Sequence, residues 1–450
     1  MKNQNTVTEW KTNAAAEALV GRLLQRALSL CPEAKKFAQT MLDDCAVRFR
    51  DVVDHLVIPT SLASDGEFLA LGWSWNAADG SMRHAGGLFP AIRRGEKVAV
   101  AFKVEHVSEF TAVQGLATPI EGKPYAPFRR CKAWGNADVD FFAIQRNGFA
   151  GFEVVDPSDA QLRLSRIHYQ TFLSRRREFD SPGPGFDYTD NLVEAAVADL
   201  GQHWACDLFL RAERVFWMNR NSAGRVQKAR QDKLGIGWAN QDHHTYDSSR
   251  VWFHRNIKVL ETLGFECRER FYAGADAGWG SQILEQPVLG SIIFTDIDLA
   301  PEELAFDFAH EPLTPLHELR RAGLWTELHG ESMLEAGLNH LECMFDQKRL
   351  RAQFTQIGIQ MMRPFSNFPH LYQELTIGEW WPVVPAKLNA LEKAGLISAA
   401  QAEDFRLNGA IGSHFENLER NDGYKGFNQP GIDGVLRIID PRKNLVGAGA

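Results

Sequence analysis

The chain has 450 residues, 44% of them hydrophobic and 24% charged, the balance of an ordinary globular protein. Twelve Trp and 29 Phe supply material for a large core, and the length allows two or three domains. A formal net charge of −8 excludes the basic footprint of a general nucleic-acid binder.

The polar start, Met1 to Asn5, and the lack of any apolar run of about 18 residues argue against secretion and against a membrane span. The six cysteines are scattered without CxxC spacing and read as reduced core thiols, which points to a cytoplasmic protein. Residues 12 to 30 carry Leu19, Val20, Leu23, Leu24, Ala27 and Leu28 at helical spacing. Val52 to Pro59 reads as a buried strand and Glu67 to Leu71 as a helical turn. Lys97 to Val104, Val139 to Ile144 and Phe149 to Val155 read as further strands. The basic run Arg175-Arg176-Arg177 reads as a solvated face or a carboxylate-pairing patch.

Pro182-Gly183-Pro184-Gly185 is the clearest linker signal, and it divides an N-terminal region, 1–185, from a second domain, 186–450. Beyond it, Asn191 to Leu210 is helical, Gln241 to Tyr246 a strand, and Trp252 to Leu263 a helix stopped by Gly264. Ser291 to Thr295 and Gly337 to Cys343 are strands, and a helix follows from Gln347 to Gln356. Leu371 to Ile377 is a strand, Ala386 to Phe405 mostly helical, and His414 to Leu418 a last strand. The halves share an opening phrase, Val53-Asp54-His55-Leu56 against Gln241-Asp242-His243-His244, which raises the prospect of a duplication. On that reading the first half is a degenerate copy, with Asp140 standing where the second offers His340.

Two histidines and a carboxylate converging from rigid strands make a facial metal site with open positions. His243 and His340 lie in strands of matching context, each followed by a helix and a glycine stop. His243 is preferred to His244 because alternation lets only one of the two face inward and because the Asp-His pair recurs. The carboxylate is either Glu416 or Glu374, both on later strands. Asn408 and Ser413, just before the Glu416 strand, are placed where they could face the pocket, though ordinary loop polarity is the favoured reading.

Asp242-His243, the helix ending Leu263-Gly264-Phe265, and Leu338-Asn339-His340-Leu341 resemble modules of the vicinal-oxygen-chelate superfamily. The stretch Phe415-Glu416-Asn417-Leu418-Glu419-Arg420, ahead of Gly426-Phe427, resembles the end of the 4-hydroxyphenylpyruvate dioxygenases, and the layout is similar to the 2-oxoadipate dioxygenase/decarboxylase family. In motif the resemblance spans residues 235 to 440. It implies an α+β fold of mixed β-sheet modules with surrounding helices. It also implies Fe(II) held by His243, His340 and Glu416, and dioxygen chemistry on a small organic acid such as a 2-oxo acid, with or without decarboxylation. It ranks Glu416 ahead of Glu374.

One departure bears on the substrate. The 2-oxoadipate family has an arginine four residues after its first ligand histidine, where this chain has Asp247. The substrate is therefore expected to differ, and Arg250 or Arg363 becomes the candidate carboxylate fork. Two other readings stand beside the dioxygenase: a metal-dependent isomerase or lyase on the same scaffold, and a non-catalytic small-ligand binder.

Overall fold

A computed structural model describes residues 9–275 and 277–428. The polar start and the end of the resembling stretch, 429 to 440, lie outside the described residues. Eight strands build the first sheet: β1 (Val53–Ile58), β2 (Trp73–Asn76), β3 (Ser81–His84), β4 (Ala91–Arg94), β5 (Val98–Lys103), β6 (Ile120–Glu121), β7 (Phe128–Gly135) and β8 (Val139–Arg146). Their spatial order is β2-β3-β4-β1-β5-β8-β7-β6. The second sheet is built from β9 (Gln241–Asp247), β10 (Glu266–Tyr272), β11 (Trp279–Gln286), β12 (Ser291–Asp298), β13 (His340–Met344), β14 (Ser366–Phe368), β15 (Leu371–Leu375), β16 (Glu379–Trp381) and β17 (Ala410–Arg420). Its order is β10-β11-β12-β9-β13-β17-β15-β14, with β16 paired to β17.

The two orders superimpose term by term once β17 is matched to β8. In each, the two central strands run antiparallel, β1 against β5 and β9 against β13, and each is flanked by a parallel partner. A helix follows each opening strand, Asp65–Ala70 and Val107–Val113 in the first sheet, Phe253–Thr262 and Gln347–Gln356 in the second. Each sheet is thus a pair of strand-helix-strand modules, the layout that the sequence resemblance implies, and the chain carries the pair twice. Four helices, Asp159–Leu173, Pro182–Leu200, Gln202–Met218 and Ser222–Asp232, join the two copies. The largest apolar cluster contains residues of both sheets, among them Phe102, Phe141, Tyr246 and Phe415. No helix among the described residues is long and apolar enough to cross a membrane.

Three sequence expectations are corrected. Pro182-Gly183-Pro184-Gly185 is not a linker but the first turn of a helix, so the division at 185/186 falls inside Pro182–Leu200. Proline suits a helix start because its missing N–H has no intrahelical partner there, and Gly185 sits where a Cβ would meet Leu334 and Phe179. Phe149 to Val155 forms no strand, because the Arg146 guanidinium takes the carbonyls of Phe149 and Gly151 at 2.7 and 2.6 Å. Asp140 is no counterpart of His340. It lies on β8, the equivalent of β17, and binds Lys97 and Lys132, whereas His340 lies on β13, the equivalent of β5.

Candidate metal centre

The central strands of the second sheet set the site by register alone. His243 on β9 lies opposite Glu342 on β13, and Glu342 lies beside Glu416 on β17. The neighbouring row holds Thr245, His340 and His414. Because side chains alternate across a strand, His243, His340, Glu342 and Glu416 share one face. All four are buried. His243, Glu342 and Glu416 each offer a ligand atom within 4.8 Å of the others. His340 stands at the edge of that group, with its Nδ1 4.0 Å from Glu342 Oε1.

Each side chain is held from behind. Nδ1 of His243 donates to Asp242 Oδ1 at 2.7 Å, which leaves Nε2 facing Glu342 Oε1 at 3.5 Å. Asp242 is gripped by Arg420 at 3.1 and 3.2 Å, and Arg420 also donates to the carbonyl of Gly426. Such carboxylate–histidine pairs fix the tautomer and the aim of a ligating imidazole. Glu342 Oε1 accepts from the Thr245 hydroxyl at 3.0 Å, and Glu416 Oε1 from the Gln373 amide at 2.9 Å. The His340 ring stacks on His414, centroids 5.1 Å apart, and His414 is itself bound to the Thr376 carbonyl.

The electrostatics fit a divalent cation. Burial, then the neighbouring charge of Glu416, pushes the Glu342 carboxyl well above its usual range. Burial lifts Glu416 to about 8. Burial also keeps the His243 and His340 imidazoles below their ordinary value, and therefore neutral. Burial alone would raise Asp242, but Arg420 and His243 hold it low and ionised. Two adjacent carboxylates and two neutral imidazoles form a donor set that a divalent ion neutralises. His340 Nε2 and Glu342 Oε2 are buried with no hydrogen-bond partner, as atoms reserved for such an ion are. The other metal-capable group among the described residues, Glu261, Cys267 and His310, lies nearer the surface, and His310 already spends both ring nitrogens on Asp307 and Glu261.

A cavity of about 70 Å³ opens over the cluster, walled by Phe271, Trp279, Phe294, Phe365, Leu375 and Phe427. Its cationic side chain is Arg321, which sits 4.9 Å from the Trp279 ring and bonds Asp247 at 3.1 Å and Asp296 at 2.8 Å. Burial, with Asp296 adding to it against the pull of Arg321, puts Asp247 at about 7.

His243, His340 and Glu416 line one cavity, but the ligand atoms that converge are those of His243, Glu342 and Glu416, with His340 outside that group; the alternatives lie elsewhere. His244 points to the opposite face of β9, since it is offset by one residue. Glu374 faces away from Glu416, toward Gln347, Arg351 and Asn417. Arg250 is committed to Glu303 and to the carbonyls of Asp298 and Thr314, and Arg363 is exposed; neither lines the cavity. Asp247 reaches the site only through Arg321. Asn408 bonds Asp404 and Ser413 accepts from Asn221, both away from the cluster. Sequence reasoning missed Glu342 and Arg321. Glu342 was within reach, because a residue two places after His340 on a strand shares its face. Arg321 lies on a helix far along the chain, and no local signal ties it to β9.

No family model matches the chain, and no curated protein matches it. Among solved structures, a variant of 4-hydroxymandelate synthase from Streptomyces coelicolor aligns at 11% identity over 75% of this chain and 95% of that one, TM-score 0.29. A putative hydrolase from Shewanella frigidimarina aligns at 13% identity over 49% and 96%, TM-score 0.33. Methylmalonyl-CoA epimerase from Mycobacterium tuberculosis aligns at 12% identity over 40% and 88%, TM-score 0.23.

Proposed function

We propose that this chain is a mononuclear metal enzyme of the vicinal-oxygen-chelate kind, an Fe(II)-dependent dioxygenase acting on a small organic acid, with or without decarboxylation. The observation that carries the reading is the shared buried face of His243, His340, Glu342 and Glu416 beneath an aromatic-walled cavity. His243, His340 and Glu416 would hold the ion, and Fe(II) there supplies the electron source and Lewis acid that dioxygen chemistry requires. Asp242 keeps His243 aimed, and the aromatic walls exclude water. Arg321, from a separate helix, is held in the cavity wall by Asp247 and Asp296 and would favour an acidic substrate through its charge. Glu342, hydrogen-bonded to Thr245 and high in pKa, is placed to hold a proton beside the substrate. The cavity volume restricts the substrate to a few heavy atoms beyond those near the ion.

Glu342 also favours a second reading. If both its carboxylate and that of Glu416 ligate, four protein side chains leave fewer positions open than three do. That arrangement suits an isomerase or lyase with a redox-inert ion, in which substrate alone enters. The deciding experiment loads the protein with Fe(II) anaerobically, then follows oxygen uptake across 2-oxo, 2-hydroxy and amino acids. Uptake coupled to loss of one acid supports the dioxygenase. Uptake no faster than that of free Fe(II), together with turnover by the Mn(II)- or Zn(II)-loaded protein, overturns it in favour of the isomerase or lyase. No turnover with any of these metals leaves the binding-protein reading.

A further inference from the structure

A second cavity, of about 150 Å³, lies where the two sheets meet. Lys103 and Arg146 line it from the ends of β5 and β8, Arg211 and Arg214 from the helix Gln202–Met218, and Glu105 and Asp207 supply its carboxylates. Most of these charges are matched. Arg146 pairs with Asp54 at 2.6 Å, Arg211 with Asp207 at 3.0 Å, and Glu105 with Lys228 at 3.2 Å. Two cations remain. Lys103, half-buried, makes no hydrogen bond or ion pair among the described residues. Arg214 is 8% exposed and has one side-chain hydrogen bond, to Gln241 Oε1 at 3.0 Å, with no carboxylate in ion-pair range. Its Nε is buried with no acceptor, as is Nε1 of Trp238 on the same wall.

Burial lowers the affinity of both Lys103 and Arg214 for their protons, and the carboxylates that oppose this, Asp54 for Lys103 and Glu105 and Asp207 for Arg214, do so without a hydrogen bond to either cation. Along this wall the buried donors without an acceptor, Arg214 Nε and Trp238 Nε1, outnumber the one acceptor without a hydrogen-bonded donor, Asp207 Oδ2. An adjoining cavity of about 270 Å³ shares Lys103, Gln241, Leu289 and Gly290, but Asp51, Asp54 and Asp242 line it, so an anion is confined to the Arg214 side. We propose that this cavity binds a small oxyanion, a carboxylate or phosphate group, through Lys103 and Arg214. The site is separate from the metal cluster, since the two cavities have no lining residue in common.

The test is calorimetric titration of the full-length protein with inorganic phosphate and, in a second arm, acetate, at matched ionic strength. Wild type and His243→Ala should bind one of the two saturably and alike, with preference between the arms identifying the anion class. Lys103→Met should weaken that binding about tenfold or more, the scale of one charge-assisted hydrogen bond, and should melt at a higher temperature than wild type in anion-free buffer. Arg214→Lys keeps the charge if Arg214→Met fails to fold, and it should weaken binding through loss of the guanidinium fork. No saturable binding to wild type overturns the proposal. So does binding that is unchanged in Lys103→Met and Arg214→Lys, or that disappears in His243→Ala.

Discussion

At the scale of single residues, the proposed centre depends on side chains that aim the candidate ligands as much as on those ligands themselves. His243 has one ring nitrogen committed to Asp242, which leaves the other for a metal. Asp242→Asn weakens that orienting bond, so metal affinity is expected to fall about 10–100-fold, measured by competition against a chelator. Glu374→Gln should leave affinity unchanged while costing about 1–3 kcal/mol of stability, because Glu374 is a buried acceptor for Asn417 and Gln347. Equal loss of affinity in both variants would return Glu374 to the ligand set. The same alternation rule that separates His243 from His244 puts Glu342 beside the ligands. A sequence reading that looks only for two histidines and one carboxylate passes over it.

At the scale of elements, the duplication explains which features recur and which do not. Arg146, at the end of β8, grips Asp54 as Arg420, at the end of β17, grips Asp242, and each aspartate holds the following histidine, His55 or His243. The ligands themselves do not recur. Ala101 and Phe142 occupy the places of Glu342 and Glu416 in the row that contains His55. The Arg–Asp–His brace is therefore common to both sheets, and the proposed metal site adds to it the carboxylates that only the second sheet has. Arg146→Met should cost roughly 3–5 kcal/mol, the scale for breaking a buried ion pair, and leave metal content intact. Arg420→Met should lose both, checked by chemical denaturation and metal analysis in parallel. The long strands and helices were legible in the sequence because their periodicity is strong, as in Gln347–Gln356. The four-residue strands β2, β3 and β4 were not, since so short a segment shows no period, and the Pro-Gly run misled because helix starts and loops favour the same residues.

At the scale of the whole molecule, burying this donor set without an ion ties stability to pH. Glu416, at about 8, Glu342, raised well above its usual range, and Asp247, at about 7, keep protons in the folded metal-free chain that the unfolded chain releases near their ordinary values of 4.5 and 3.8. Their contribution is complete below those ordinary values and is lost as pH rises through the folded ones. The lowered histidines act in the opposite sense, but only up to their ordinary value of 6.5. Between pH 6.5 and about 8 the carboxylates therefore prevail. Metal-free wild type should lose thermal stability across that window, Glu416→Gln should lose less, and metal-loaded wild type should hold steady, because the ion stabilises the ionised carboxylates. Parallel melting curves for all three would contradict the electrostatic account.

The central claim is a single metal centre on one face of the second sheet, and metal content measures it most directly. After loading with Fe(II) under nitrogen and desalting, wild type should retain about one ion per chain, as one mononuclear site requires. His243→Ala and Glu416→Gln should retain almost none while remaining folded, and His55→Ala in the first sheet should retain the wild-type amount. Full occupancy in His243→Ala and Glu416→Gln, or no retained metal in wild type with Fe(II), Mn(II) or Zn(II), would contradict the account.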